Sequence, residues 1–325
     1  NQLTADATHS YQYDDNGNLT RKTLLATGNF TQYTYDAENR LTKVEDFAAG
    51  NPTPAFTSTY RYDGLGRRIE KVANGQTRRY IYDGEDILLE YDGANVLQAR
   101  YTHGPGIDEP IAVTKGASTF FYHQDGLGTV TDLTDSTGAT AKSYSYDAYG
   151  NIIESPGTLD QSYTYTGREF DSESGLMYYR ARSYDPASGR FLQKDPIGFS
   201  GGDLNLYNYV DSNPLKWTDP LGLTKCPDCK KVKADCIEQC SESSLPSGDH
   251  GFRFWNCVNK CMEANGCSPS GDPLPLPDDR TLSRKLIDAL NNFNDWMQKH
   301  YPKPNGRPVP YPPLPGRWPY PIPVP

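Results

Sequence analysis

Two short segments carry the side chains of this sequence that are best suited to acid–base chemistry. Asp195 opens the first Asp-Pro-x-Gly segment, and Asp219 opens the second one 24 residues later. Each segment alone predicts a β-turn, because turns favour Asp at the first position, Pro at the second and Gly at the fourth. Two carboxylates that share one site cannot both ionise easily, so such a pair can supply one general acid and one general base. This chemistry requires elements that bring the two aspartates together.

The composition indicates a turn-rich β architecture. The 325 residues include 24 Tyr, 11 Phe, 29 Gly and 26 Pro, a balance that favours strands and turns over helices. No stretch approaches the roughly 18–20 consecutive apolar residues of a membrane-spanning helix, which excludes an integral helical membrane protein. The chain begins with Asn1 and without a signal-peptide pattern, so we interpret it as a fragment or a mature part of a longer protein.

The composition changes near residue 223, which predicts a domain boundary there. Residues 1–223 hold 19 Lys and Arg against 30 Asp and Glu, whereas residues 224–325 hold 13 against 11. Twenty-one of the 24 Tyr lie in the first part, and all seven Cys lie in the second. The acidic first part argues against nucleic-acid binding by residues 1–223, because it would repel phosphates.

The first 150 residues contain a repeated Tyr-x-Tyr-Asp unit. Tyr-x-Tyr places two aromatic side chains on one face of a strand, and the Asp opens a turn through its own side chain. A Gly or Asn three residues after that Asp takes the left-handed conformation that returns the chain. The units therefore predict a series of antiparallel β-hairpins, each too small to be stable alone. The second tyrosines of the units are Tyr13, Tyr35, Tyr62, Tyr82 and Tyr146.

These units resemble the tyrosine-aspartate (YD) repeats of the Rhs family, and residues 151–223 are similar to the Rhs-associated core domain. The second similarity rests on the motifs that begin at Tyr165 (Tyr-Thr-Gly-Arg-Glu-Phe-Asp), Gly175 (Gly-Leu-Met-Tyr-Tyr-Arg-Ala-Arg-Ser-Tyr-Asp-Pro), Gly189 (Gly-Arg-Phe), Asp195 and Asp219. The resemblance implies a mainly β fold. Residues 1–150 would form YD hairpins as part of a hollow β-cocoon shell, and residues 151–223 would form the core domain that closes one end.

In the Rhs family the paired Asp-Pro-x-Gly motif is the self-cleaving site, and it acts like an aspartic protease. Mapped onto this sequence, the resemblance implies that Asp195 and Asp219 form the catalytic dyad. It also implies that the cut separates Leu223 from Thr224, at the boundary in composition. The chemistry is intramolecular, so the fold itself would supply the orientation of the reacting groups.

Two other charged residues near the motif need an interpretation. Arg190 is a candidate third residue of the site, where it would orient a carboxylate or polarise the scissile carbonyl, and it equally suits a structural ion pair. Asp211 lies between the two segments without the Pro-x-Gly context, so we expect it to take no part in cleavage.

The resemblance implies that residues 224–325 form a variable C-terminal domain, usually a toxin or effector. Residues 224–300 predict a small Cys-containing helical domain with an amphipathic helix near residues 280–299, and the Pro-rich residues 301–325 predict an extended tail. The CxxxC spacings favour disulfides between two helices, whereas the CxxC at the start is a possible zinc half-site, and we expect no other cofactor. The disulfide or metal candidates are Cys226, Cys229, Cys236, Cys240, Cys257 and Cys261.

The leading hypothesis is a polymorphic Rhs toxin in which a β-shell encloses a C-terminal effector and releases it by autoproteolysis after Leu223. The alternatives are a structural or adhesive YD-repeat surface protein without catalysis, and a toxin-complex subunit with the same cocoon. The leading hypothesis implies that residues 224–325 are encapsulated cargo, with an immunity protein and secretion machinery as partners. It also implies a secreted or cell-surface protein that is delivered to competing cells.

Overall fold

The computed structural model describes residues 1–223 and 225–227 of the chain. This part is built mainly of antiparallel β-strands joined by tight turns, as the sequence predicts. None of the helices in the described part is long and apolar enough to cross a membrane. The predicted amphipathic helix and Pro-rich tail, and nearly all of the predicted Cys-containing domain, lie outside the described residues.

Residues 9–143 form a single antiparallel sheet of 13 strands, in which each strand pairs with the next one along the chain. This order is the one that a series of stacked hairpins produces. The strands are β1 (His9–Tyr13), β2 (Leu19–Leu24), β3 (Phe30–Tyr35), β4 (Leu41–Phe47), β5 (Phe56–Tyr62), β6 (Arg68–Ala73), β7 (Gln76–Asp83), β8 (Asp86–Asp92), β9 (Leu97–His103), β10 (Pro110–Lys115), β11 (Ser118–Gln124), β12 (Val130–Asp135) and β13 (Thr140–Ser143).

The side chains of Asp14, Asp36, Asp63 and Asp147 organise the turns of their YD units, as the sequence predicts. Oδ1 of Asp63 accepts hydrogen bonds from the backbone N–H groups of Leu65 and Arg67 at 2.9 and 3.0 Å. Gly66 returns the chain with a φ of 84°, a conformation that is open to glycine because it has no Cβ. Asn39 takes the equivalent position one turn earlier, with a φ of 62°.

The second tyrosine of the unit links neighbouring hairpins. The strand register shifts immediately before this residue, for example between Thr34 and Tyr35. The hydroxyl group of Tyr35 then donates a hydrogen bond of 2.7 Å to the carbonyl oxygen of Leu19, just after the preceding turn. Tyr62 makes the same contact with the carbonyl oxygen of Leu41 at 2.7 Å. Each unit is therefore bonded to the one before it through a side chain as well as through the strand ladder.

Residues 145–227 form three smaller sheets and three short 3-10 turns. The middle sheet is a four-stranded meander, and the other two are strand pairs. The strands are the pair β14 (Ser145–Tyr146) and β15 (Ile152–Glu154), the meander β16 (Glu169–Asp171), β17 (Leu176–Tyr179), β18 (Arg182–Asp185) and β19 (Arg190–Phe191), and the pair β20 (Trp217–Thr218) and β21 (Cys226–Pro227). The 3-10 turns are Tyr165–Gly167, Gly198–Gly201 and Val210–Ser212.

The tyrosine face of the large sheet packs against residues 151–223. Tyr11, Tyr33 and Tyr60 share one apolar cluster with Leu176 and Leu192. The two parts of the described chain therefore have a common hydrophobic core, which holds the core-domain loops in place.

A buried ion-pair cluster adds a second link between the large sheet and the meander. Arg68 on β6 lies 2.8 Å from the carboxylate of Glu169 and also pairs with Asp171, both on β16. Lys71, on the same face of β6, lies 2.9 Å from Asp171. These four charged residues are buried, so each depends on its partners to offset the loss of solvation.

Candidate active site

The two predicted aspartates lie on either side of one arginine. Arg182, at the start of β18, places Nη2 3.3 Å from Oδ2 of Asp195 and 3.2 Å from Oδ2 of Asp219. Arg182, Asp195 and Asp219 have only 3%, 7% and 2% of their surface exposed. Folding therefore brings together two carboxylates that are 24 residues apart in the sequence, with one cation between them.

Burial controls the protonation of this group of three side chains. It raises the pKa of the Asp195 carboxyl, against the opposing effects of Arg182 and of the Ile197 N–H group, which donates to Oδ1 at 2.9 Å. Burial also lowers the pKa of the Arg182 guanidinium, and the two carboxylates oppose that change. With both carboxylates ionised, the group carries an excess negative charge that a buried site disfavours. One proton on Asp195 makes the group neutral.

The Asp219 carboxylate is oriented by its own turn. Oδ1 accepts a hydrogen bond of 2.9 Å from the backbone N–H group of Leu223, while Oδ2 faces Arg182. The N–H group of Gly222 donates to the carbonyl oxygen of Asp219 at 3.2 Å and closes the turn, with a φ of 67° at Gly222. The turn that the Asp-Pro-x-Gly pattern predicts is present, and the same turn presents the carboxylate to the site.

The connection between β17 and β18 holds the backbone that leads to Leu223. Three successive residues, Arg180–Arg182, donate hydrogen bonds to the three successive carbonyl groups of Pro220–Gly222. Packing is close here, since a Cβ atom on Gly222 would lie 2.3 Å from the carbonyl oxygen of Tyr179. The chain is thereby fixed immediately before the bond that the sequence predicts to be cut.

The carbonyl oxygen of Leu223 and the carboxylate of Asp195 meet at Gly201. A Cβ atom on Gly201 would lie 2.6 Å from Oδ2 of Asp195 and 2.7 Å from the carbonyl oxygen of Leu223. The two oxygens therefore border the same small space. Asp195, Gly201 and Leu223 line one cleft together with Arg182 and Asp219. The cleft has room for about one water molecule.

This geometry suits acid–base attack on the Leu223 carbonyl group. A protonated Asp195 can donate to the carbonyl oxygen, and an ionised Asp219 can accept a proton from a water molecule in the cleft. Arg182 contacts both carboxylates and the neighbouring Gly222 carbonyl, so it fixes their relative positions.

Comparison with known proteins assigns the family of this fold. A family model described as the teneurin YD-shell matches residues 1–215. The chain belongs to the YD-shell family. The predicted relationship to Rhs and YD-repeat proteins is thereby confirmed.

The YD-shell of this chain is similar to parts of much longer proteins. It is 39% identical over 230 residues to the tRNA nuclease WapA of Bacillus subtilis (strain 168), covering 68% of this chain and 9% of WapA. It is 35% identical over 238 residues to the probable deoxyribonuclease RhsA of Dickeya dadantii (strain 3937), covering 68% of this chain and 16% of RhsA. The chain thus spans less than a fifth of the length of either relative.

A solved structure shows the same fold. The crystal structure of TcdB2-TccC3 matches with a TM-score of 0.50 and 21% identity, covering 66% of this chain and 14% of that one. At this identity the similarity concerns the fold alone.

Arg190 does not take the position that the sequence analysis expected of a third site residue. Its guanidinium donates to the carbonyl oxygen of Asn1 at 2.8 Å and to Oδ1 of Asn205 at 3.3 Å. Arg190 pairs with Asp185, at the far end of β18 from Arg182, so the strand register directs it elsewhere. Arg182 contacts both aspartates instead. Its signal in the sequence was its place, with Arg180, in a run rich in apolar and aromatic residues, since a buried arginine requires carboxylate partners.

Asp211, which the sequence analysis expects to take no part in cleavage, lies in the lining of the cleft. Its carboxylate pairs with Nζ of Lys225, beyond the predicted cut. Sequence analysis missed both residues of this pair, because the contact depends on how residues 213–223 return the chain.

The remaining predicted site residues are mostly outside the described part. Thr224, Cys229, Cys236, Cys240, Cys257 and Cys261 belong to this set. The backbone of Cys226 pairs with that of Thr218 in the strand pair β20–β21. Among the described residues, no three His, Cys, Asp or Glu side chains are grouped as metal ligands. The choice between disulfides and zinc stays a prediction.

Proposed function

We propose that this YD-shell is the C-terminal part of a toxin carrier that cuts its own chain between Leu223 and Thr224. In this proposal residues 1–223 form the carrier, with YD hairpins in residues 1–150 and the core domain in residues 151–223, and residues 224–325 are the released cargo. The observation that carries the proposal is the convergence of Asp195 and the Leu223 carbonyl oxygen beside Arg182 and Asp219.

The proposed reaction begins with Asp195 protonated and Asp219 ionised. Asp219 takes a proton from a water molecule as the water oxygen bonds to the carbonyl carbon of Leu223, and Asp195 donates its proton to the carbonyl oxygen. The resulting tetrahedral intermediate collapses as its hydroxyl proton returns to Asp195. The C–N bond breaks, and the nitrogen of Thr224 takes the proton held by Asp219. The products are a carboxyl group on Leu223 and an amine on Thr224.

The named relatives support a carrier role for the shell. WapA is named a tRNA nuclease and RhsA a probable deoxyribonuclease, yet each is similar to the same share of this chain, about 68%. A shared segment in proteins with different named activities is better suited to carrying an effector than to being one. Nuclease activities of the kind named for these relatives would suit a toxic cargo. The proposal therefore includes that the protein is secreted or displayed, acts on competing cells, and has an immunity protein and secretion machinery as partners.

Self-cleavage is tested by following the full 325-residue chain after a pulse of cell-free synthesis. We expect the wild-type chain to yield fragments that end at Leu223 and begin at Thr224, as read by mass spectrometry. Asp195→Asn and Asp219→Asn should each slow the cut by roughly 10²–10⁴-fold, because an amide keeps the turn hydrogen bonds but cannot transfer the proton. The double variant should be no slower than either single one, since the two residues act as a unit.

A matched control uses an aspartate of the large sheet. Asp132 on β12 accepts a hydrogen bond from Ser143 at 2.7 Å and lies outside the cleft lining, so Asp132→Asn should cut at the wild-type rate. A stable wild-type chain, or normal cleavage in both Asn variants of the pair, would overturn the proposal and leave the segments as turns of a structural shell.

A further inference from the structure

We propose that Asp211 and Trp217 form a recognition site for the basic side chain of Lys225, two residues beyond the bond that is cut. This site would determine which residue the autoprotease accepts at that position, and the inference rests on the proposed self-cleavage. The inference concerns a contact on the C-terminal side of the cut bond. The carboxylate pair and Arg182 instead act at that bond and on the segment that precedes it.

The Lys225 side chain has two partners, both in the core domain. Its ammonium group pairs with Oδ2 of Asp211, and Nζ lies 5.9 Å from the centroid of the Trp217 ring, within reach of a cation–π interaction. The side chains of Lys225 and Asp211 are 33% and 39% exposed, so neither charge must lose all of its solvation on pairing. A carboxylate beside an aromatic face is an environment that suits a basic side chain.

The backbone next to Lys225 is held by the same element. Trp217 and Thr218 of β20 pair antiparallel with Cys226 and Pro227 of β21. The segment between the two strands, residues 219–225, contains both Asp219 and the predicted cut. The strand pair therefore joins the chain before the predicted cut to the chain after it.

An unusual backbone conformation presents Asp211 to the cleft. Three successive residues that are not glycine, Val210, Asp211 and Ser212, have φ values of 44°, 55° and 58°. Left-handed conformations are costly for L-residues, above all for a β-branched one such as Val210, and strained backbone is concentrated at functional sites. The strain is held by the fully buried Tyr209, whose carbonyl oxygen accepts from the N–H group of Ser212 at 2.9 Å.

The charge of the cleft favours a basic residue at position 225. Asp195, Asp219 and Arg182 form a neutral group when Asp195 is protonated, so the excess negative charge of the lining comes from the carboxylates of Asp203 and Asp211. An acidic side chain at position 225 would be repelled by Asp211, whereas Arg would keep the ion pair and the ring contact. Residues 220–222 are held on one side of the bond by the β17–β18 connection, and Lys225 is held on the other. Holding both sides fixes the carbonyl group for attack.

The site is tested first by the rate of self-cleavage in cell-free pulse–chase. Lys225→Glu should slow the cut by about tenfold or more, and Asp211→Asn and Lys225→Gln by about fivefold, as expected for the loss of one partly exposed ion pair. Lys225→Arg should cut at a rate close to that of wild type. The charge swap Asp211→Lys with Lys225→Asp should cut faster than either single variant. Lys43→Gln, which removes a comparable pair with Glu45 in the large sheet, is the control and should have no effect.

A second measurement does not depend on self-cleavage. In the Asp195→Asn background, trypsin should cut after Lys225 slowly, because the side chain is engaged, and the further change Asp211→Asn should accelerate that cut severalfold. If trypsin is slowed by Asp211 but the wild-type chain never cuts itself, the recognition site stands and the proposed function fails. If self-cleavage occurs but neither Asp211→Asn nor Lys225→Glu changes its rate, the recognition site is overturned. If Asp211 affects neither assay, both are overturned.

Discussion

At the scale of single residues, the site depends on placing one cation between two carboxylates that burial would otherwise destabilise. Arg182 contacts Asp195, Asp219 and the carbonyl oxygen of Gly222, so one side chain links the two turns and the segment that leads to Leu223. It offsets part of the negative charge, and burial keeps the pKa of Asp195 above its ordinary value. The same environment therefore favours the protonated form of Asp195, which the proposed reaction requires.

Gly201 offers a direct test of this geometry. A methyl group at this position would stand 2.6 Å from Asp195 Oδ2 and 2.7 Å from the Leu223 carbonyl oxygen, closer than nonbonded atoms approach. Gly201→Ala should therefore push the acid and the carbonyl apart and slow self-cleavage by about 10²-fold, the effect of a displacement near 1 Å. The measurement is the pulse–chase rate, with circular dichroism to show that the β structure is retained.

The control for this variant is Gly126→Ala. A Cβ atom on Gly126 would meet nothing within 4 Å, and the residue does not have a positive φ, so the substitution should leave both cleavage and stability unchanged. Cleavage of Gly201→Ala at the wild-type rate would show that the Leu223 carbonyl does not react in the position described.

At the scale of elements, the YD unit is a hairpin that carries its own connection to its neighbour. The Asp closes the turn, the Gly or Asn returns the chain, and the second Tyr bonds to the backbone of the preceding hairpin. Since these three contacts use residues within one unit, repeating the unit repeats the connection and extends the sheet.

The contribution of the tyrosine hydroxyl can be measured by deleting it. Tyr62→Phe removes the 2.7 Å hydrogen bond to the carbonyl oxygen of Leu41 and leaves the ring in place. We expect a loss of about 1–2 kcal/mol in the free energy of unfolding, because a partly buried carbonyl loses its donor. Urea unfolding of residues 1–223, the fragment that remains after self-cleavage, would measure this loss. Thr42→Val in the same region also loses a hydrogen bond, from an exposed hydroxyl to the carbonyl oxygen of Thr34, and should cost less.

The elements were predictable from the sequence to different degrees. The hairpins followed from Tyr, Asp and Gly spacing, because the turn contacts lie within five residues of chain. The pairing of Asp195 with Asp219 came from the family resemblance, since spacing alone predicted only two turns. The contact of Arg182 with Asp219 and the pairing of Asp211 with Lys225 were not predicted, because these partners lie 37 and 14 residues apart and depend on how strands return. Long-range contacts between charged residues leave no periodic signal in one sequence.

At the scale of the molecule, the large sheet and the core domain must stay together for the site to keep its geometry. They share an apolar cluster that includes Tyr60 and Leu176, and a buried network in which Asp171 pairs with Arg68 and Lys71. Asp171 is the centre of this network, because it contacts both cations of β6. Its removal would leave two buried positive charges with fewer partners.

The network makes the stability of the shell depend on pH in a predictable direction. Burial alone would raise the pKa of Asp171, but Arg68 and Lys71 outweigh it and lower the pKa to about 2. A carboxyl group whose pKa is lower in the folded state stabilises that state at pH values above the pKa of the unfolded chain. This contribution is lost as the pH falls from about 4 towards 2.

Asp171→Asn should lower the free energy of unfolding by about 3–5 kcal/mol at pH 7, the range for breaking a buried pair. It should also flatten the fall in stability between pH 4 and 2. Urea unfolding of the cleaved shell at several pH values measures both effects.

Asp160→Asn is the comparison variant. The Asp160 side chain is 61% exposed beside Arg78, so its loss should lower the free energy of unfolding by less than about 1 kcal/mol. Equal costs for the two variants would mean that the buried network does not join the sheet to the core domain.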